Sequence, residues 1–185
     1  MSVPNIITIA RILAVPLTVW LIIDGEHMLA FLAFIAAGIS DGVDGFIARR
    51  YDLKSELGAM LDPLADKLLL VSIYVTLGFQ QVLPAWLVIL VVSRDVLIVG
   101  GVLLNMLMDR PMEMRPLLVS KVNTAGQIIL AGAALAALGF EVNLSNASFA
   151  AGIGAVALLT AASGALYLRD WVRHMAGSNG ESAKS

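Results

Sequence analysis

Cysteine is absent from all 185 residues. That excludes disulfides, thiolate nucleophiles and thiolate metal sites. Charge is scarce: 14% of residues are Asp, Glu, Lys or Arg, against roughly 25% in soluble domains. The two histidines, His27 and His174, lie too far apart in sequence to form a metal-ligand pair. Strand-like alternation is missing, which argues against a β-barrel. A formal net charge of −2 gives no sign of a nucleic-acid partner. The start lacks the basic n-region of a secretory signal, and its first apolar stretch outruns an h-region. It is not an Arg-rich transit peptide either.

What is present is apolar helix. Hydrophobic residues make up 59% of the chain, and the mean hydropathy is +0.87. Apolar segments can be read at about 6–23, 28–48, 57–79, 83–108, 117–140 and 147–169. Each is long enough to cross roughly 30 Å of hydrocarbon at about 1.5 Å per residue. The expected fold is all-α, an integral membrane bundle of six transmembrane helices. One domain is expected over residues 1–176, with a disordered polar tail at 177–185. The connections DGEH, RRYDLKSE, FQQV, DRPMEMRP and EVNLSN are short, which implies antiparallel neighbours.

Charge orients the bundle. Arg49, Arg50 and Lys54 flank the second connection, Arg110 and Arg115 lie in the fourth, and Arg169 and Arg173 follow the last apolar segment. The first, third and fifth connections carry no Lys or Arg. The positive-inside rule therefore puts both termini and the even connections in the cytoplasm. The expected location is the inner (cytoplasmic) membrane of a bacterium. Small residues are expected to pack helices closely: Gly38, Gly42 and Gly45 in the second segment, Gly126 and Gly132 in the fifth, and Gly152, Gly154 and Gly164 in the sixth.

Against this background, residues 41–66, DGVDGFIARRYDLKSELGAMLDPLAD, stand out. One Asp at the centre of a membrane helix costs about 2.5–3.5 kcal/mol. Asp41 and Asp44 are three apart; Asp62 and Asp66 are four apart. Either spacing puts a pair on one helical face. Two helices joined by a short loop would bring all four carboxylates together, where they would repel without cations. Two divalent ions balance four negative charges. A carboxylate-only set suits Mg²⁺ or Mn²⁺ rather than zinc, and Mg²⁺ in such sites usually also holds substrate phosphates. The neighbours fit a phosphate ligand. Gly45 and Gly58 clear space by the backbone, Ala48 keeps the next turn small, and Arg49 offers a bidentate fork. Pro63 removes one backbone donor beside Asp62.

The stretch resembles the signature of the CDP-alcohol phosphatidyltransferases, D-x2-D-G-x2-A-R-x8-G-x3-D-x3-D. It matches without departure at Asp41, Asp44, Gly45, Ala48, Arg49, Gly58, Asp62 and Asp66. The resemblance implies that Asp41, Asp44, Asp62 and Asp66 hold two divalent cations, with Asp66 also the general base. It implies that Gly45, Arg49 and Gly58 hold the CDP moiety, and that the protein is a homodimer. The opening Pro4-Asn5, Thr8 and Arg11 resembles phosphatidylglycerophosphate synthases and cardiolipin synthases alike, and adds Asn5 to the CDP-binding set. SRDVLIVGG at 93–101 and SKVNTAGQ at 120–127 look more like CMP-forming cardiolipin synthases.

The implied reaction transfers phosphatidyl from CDP-diacylglycerol to phosphatidylglycerol, giving cardiolipin and CMP. Arg94, Arg115 and Lys121 are the candidates for the acceptor phosphate. Arg94 is expected to need a partner such as a lipid phosphate, since its neighbour Asp95 does not share its helical face. Lys121 could equally reach up to the membrane interface. Two alternatives remain. A phosphatidylglycerophosphate synthase would use glycerol 3-phosphate as acceptor. A divalent cation transporter would also place carboxylates in the membrane, but would leave Gly45, Ala48, Arg49 and Gly58 unexplained.

Overall fold

The computed structural model contains six helices among the residues it describes. They are α1 (Val3–Ile23), α2 (His27–Tyr51), α3 (Glu56–Phe79), α4 (Ala85–Leu107), α5 (Leu118–Gly139) and α6 (Ala147–Glu181). It describes the backbone of residues 3–51, 56–107, 118–144 and 146–181, and side chains over 13–40, 67–101, 118–144 and 146–171. Among the described residues every regular element is helical. The hydropathy segments anticipate the helix ends closely, except in α6. That helix continues to Glu181, past residue 169 and into the segment expected to be a disordered tail. No proline follows Pro116 to interrupt it.

Three helices stop by the same device. The chain turns left-handed at Gly25 (φ 84°), Gln81 (φ 60°) and Glu141 (φ 55°). The next amide in each case donates back into the last helical turn: Glu26 to Leu21 O, Val82 to Leu77 O and Val142 to Ala137 O, at 2.7–2.9 Å. These bonds satisfy carbonyls that a helix end leaves orphaned.

Packing arranges the helices as a ring in the order α1, α3, α4, α6, α5, α2, with α3 also touching α5 across the middle. The short connections imply that all consecutive helices are neighbours. Among the described residues this holds for α1–α2, α3–α4 and α5–α6. Between α2 and α3, however, α1 supplies the packing on one side and α5 on the other. A short loop constrains only the helix ends it joins; burial decides what fills the space between the shafts.

Close contacts fix the directions. Phe34 lies against Gly132, and Met28 against Gly139, so α2 and α5 are antiparallel. Gly126 packs against Val156 and Leu159, and Gly152 against Leu130, so α5 and α6 are antiparallel. The glycines expected to pack helices do so at Gly126, Gly132, Gly152 and Gly164. Gly38 and Gly154 have open space where a side chain would go, and Gly42 and Gly45 lie outside the described side chains. Gly38 falls off the buried stripe of α2, which runs through Ala30, Phe34 and Ala37.

The core is apolar around Ile22, Ile73, Tyr74, Leu77, Leu87, Ala134 and Leu135. The surface is apolar too: Leu17, Trp20, Leu32, Ile39, Trp86, Ile89, Ile129 and Leu158 are exposed. Thr18, Arg94, Asp95, Asn123, Gln127, Thr160 and Ser163 are buried instead. Among the described residues, α5 (Leu118–Gly139) and Ala147–Trp171 of α6 are long and apolar enough to cross a membrane.

Candidate active site

The aspartate positions follow the buried residues of α2 and α3 at helical spacing. On α2 the buried positions 30, 34 and 37 continue at helical spacing to 41 and 44. On α3 the buried positions 70, 73 and 77 continue backward to 66 and 62. Asp44 and Asp62 stand about 10 Å, and Asp41 and Asp66 about 15 Å, along their helices from the ends joined by residues 52–55. The two pairs are therefore level. Following the antiparallel α2–α5 contact down from Phe34 and Gly132 brings the first turns of α5, with Ser120 and Lys121, to the same height.

The side chains of Asn5, Asp41, Asp44, Arg49, Asp62 and Asp66, the glycines Gly45 and Gly58, and the whole of Arg115 lie outside the described residues. Positions 41, 44, 62 and 66 lie on the helical backbone of α2 and α3. The donor set is all oxygen, and its chemistry fits Mg²⁺ or Mn²⁺. Among the described residues no group of three or more His, Asp or Glu could hold a metal ion.

Beside this region the structure corrects the reading of Arg94. Its guanidinium Nη1 donates to Asp95 Oδ1 at 2.6 Å, with both side chains only 3% exposed. Nε and Nη2 donate to Ser163 Oγ at 3.2 and 2.7 Å, and Nη2 also donates to Ser120. Adjacent helical residues do diverge at Cβ. The arginine side chain is long enough to bend its charged end back, and the cost of burying a lone cation favours that fold-back. Arg94 therefore has protein partners, and a lipid phosphate is not needed to satisfy it.

Lys67 was not anticipated. It follows Asp66 directly, and its Nζ lies 3.0 Å from both Asp95 oxygens. Lys67, Asp95, Arg94, Ser120 and Ser163 thus join α3, α4, α5 and α6. Removing Asp95 would leave two cations without their counter-charge, a loss of about 3–5 kcal/mol for a buried pair. The signal was legible: Lys67 and Asp95 are opposite charges in separate apolar runs, and each needs a partner. A second buried set links α5 to α6 and α3 to α5. Thr160 donates to Asn123 Oδ1 at 2.8 Å, and Tyr74 donates to the Gln127 carbonyl at 3.1 Å. Lys121, by contrast, is exposed and makes no hydrogen bond or ion pair among the described residues.

A family model of CDP-alcohol phosphatidyltransferases matches residues 1–164. The chain belongs to that family. A human "Cardiolipin synthase (CMP-forming)" is 36% identical over 152 residues, covering 74% of this chain and 50% of that protein. A protein of the same name from Streptomyces coelicolor is 38% identical over 111 residues, covering 56% of this chain and 52% of the relative. A rice chloroplast "CDP-diacylglycerol--glycerol-3-phosphate 3-phosphatidyltransferase 1" is 34% identical over 152 residues, covering 73% and 46%. The chain spans about half the length of these curated relatives. In this CDP-alcohol phosphatidyltransferase, the signature runs from the last turns of α2 into the first turns of α3.

Proposed function

We propose that this protein is a membrane phosphatidyltransferase that makes cardiolipin and CMP from CDP-diacylglycerol and phosphatidylglycerol. The carrying observation is that the complete family signature, with its aspartate pairs at level backbone positions on α2 and α3, lies within the residues that the family model matches. Divalent cations held by Asp41, Asp44, Asp62 and Asp66 would offset the charge on the CDP pyrophosphate. Asn5, Gly45, Arg49 and Gly58 hold the CDP moiety. Asp66 takes the proton from the primary hydroxyl of the acceptor glycerol. That oxygen forms a new bond to the phosphorus bearing diacylglycerol, the anhydride bond breaks, and CMP leaves with the electron pair. No covalent enzyme intermediate is required. Lys121, with Arg115 from the preceding connection, holds the acceptor phosphate.

All six helices cross the membrane in this reading. Each has at least 21 residues, enough for about 30 Å. The exposed leucines, isoleucines and tryptophans meet lipid, while polar groups are shared inside. Lys and Arg distribution puts the aspartate end on the cytoplasmic side, and a second copy completes a homodimer. A cysteine introduced into EVNLSN should label from outside intact cells, and one in DRPMEMRP should not. Reversed labelling would overturn the orientation.

For the acceptor, support comes from the cardiolipin synthase relatives and from the sparse basic set of the sequence, Arg94, Arg110, Arg115 and Lys121. A lipid acceptor gains affinity by burying its acyl chains, so few cations suffice. A soluble glycerol phosphate must be held by charge. With Arg94 engaged by Asp95, the basic set for that task is smaller still. The rice relative favours glycerol 3-phosphate as the second reading. Purified protein supplied with CDP-diacylglycerol and each acceptor separately should convert phosphatidylglycerol to cardiolipin and CMP, with glycerol 3-phosphate a poor substrate. Phosphatidylglycerophosphate as the main product would reverse the choice of acceptor and leave the transferase class standing.

A further inference from the structure

We propose that Asp95 is a positioning residue that sets the spacing between the base Asp66 and the acceptor-binding start of α5. It does so through the chain Lys67–Asp95–Arg94–Ser120. The inference rests on the reading of Asp66 as base and Lys121 as acceptor ligand. The two ends of the chain are the immediate neighbours of those residues. Lys67 follows Asp66, and Ser120 precedes Lys121. Between them, Asp95 is held from both sides: by Lys67 at 3.0 Å through both carboxylate oxygens, and by Arg94 at 2.6 Å. Arg94 in turn donates to Ser120 on α5 and to Ser163 on α6.

Asp95 is 3% exposed and Lys67 21%. The link is thus shielded from water, and loss of one member is not readily compensated by solvent. Among the described residues it is also the side-chain tether of α3 nearest to the aspartates. The others, Tyr74 of α3 to the Gln127 carbonyl and Gln80 just past the end of α3 to the Ile22 carbonyl, lie further toward the opposite end. Residue 66 sits about 100° around the helix from residue 67 and about 1.5 Å below it. Holding Lys67 against α4 therefore sets which way position 66 points and at what height. Releasing it lets α3 rotate or slide relative to α5. A misplacement of about 1 Å costs on the order of 100-fold in rate.

The test compares Lys67→Met, Asp95→Asn, their double variant, Lys67→Arg and Asp66→Asn in full-length protein in detergent. Turnover with phosphatidylglycerol, direct binding of CDP-diacylglycerol without acceptor, and melting temperature are measured for each. Lys67→Met and Asp95→Asn should each lower kcat by about 100-fold. The double variant should be no worse than the worse single one, CDP-diacylglycerol binding should be retained, and Lys67→Arg should restore turnover. Lys67→Met leaves the Arg94–Asp95 pair in place, so it carries the test if Asp95→Asn fails to fold. Normal kcat in Lys67→Met, additive losses in the double variant, or a loss that tracks CDP-diacylglycerol binding or melting temperature would overturn the proposal. Retained turnover in Asp66→Asn would instead remove the base assignment beneath it, which keeps the two failures distinct.

Discussion

Asp66→Asn should lower turnover by roughly 100- to 10,000-fold, the range that a positioned general base contributes. The substitution keeps the shape of the side chain and removes its ability to take a proton. CDP-diacylglycerol binding should fall far less than kcat, because Asp41, Asp44 and Asp62 remain. The decisive comparison is direct binding of CDP-diacylglycerol against turnover in the same preparation. Near-wild-type turnover would show that the acceptor hydroxyl loses its proton elsewhere. Equal losses of binding and turnover would reduce Asp66 to a ligand for the nucleotide end.

Removal of divalent cations should have an effect at least as large. In excess chelator, activity should fall to background and return with added Mg²⁺ or Mn²⁺. In the proposed site, four carboxylates would repel one another without a counter-charge, and the CDP pyrophosphate would add further negative charge. Asp62→Asn should behave as partial metal loss. The cation concentration needed for half-maximal rate should rise, and the rate at saturation should drop by about 100-fold or more. Full turnover in chelator would remove the cations from the reaction. A normal cation requirement in Asp62→Asn would take Asp62 out of the binding set.

The features legible from sequence were those that depend on local pattern. Apolar periodicity and the short polar connections located six helices to within a few residues at most ends. The overrun of α6 was hidden because hydropathy reports where apolar character stops, not where backbone hydrogen bonding stops. Ordinary polar residues carry a helix onward when no Pro intervenes. Carboxylates spaced by three and four inside apolar runs exposed the candidate site, since their desolvation must be offset.

Arg94 shows where sequence reading ended. Helical geometry correctly states that residues 94 and 95 diverge at the backbone, but says nothing about where a long side chain places its guanidinium. Lys67 follows a related rule. Its charge inside an apolar run calls for a partner, but only the fold selects Asp95 on another helix. Which glycines meet a neighbour was equally undecidable from composition: Gly132 receives Phe34, while Gly154 faces open space.

The sequence by itself determined the helices, the family signature and the grouping of four aspartates into two pairs. The helices and the pairing follow from spacings of three and four along one chain, which local backbone geometry enforces, and the signature is a fixed order of residue types in that chain. Only the tertiary structure decided the ring order, with α1 and α5 packed on either side of α2 and α3. It alone brought Lys67, Asp95, Arg94, Ser120 and Ser163 together from four helices. Such partners are chosen by the cost of burying an unpaired charge, and that cost depends on what the completed bundle places beside it.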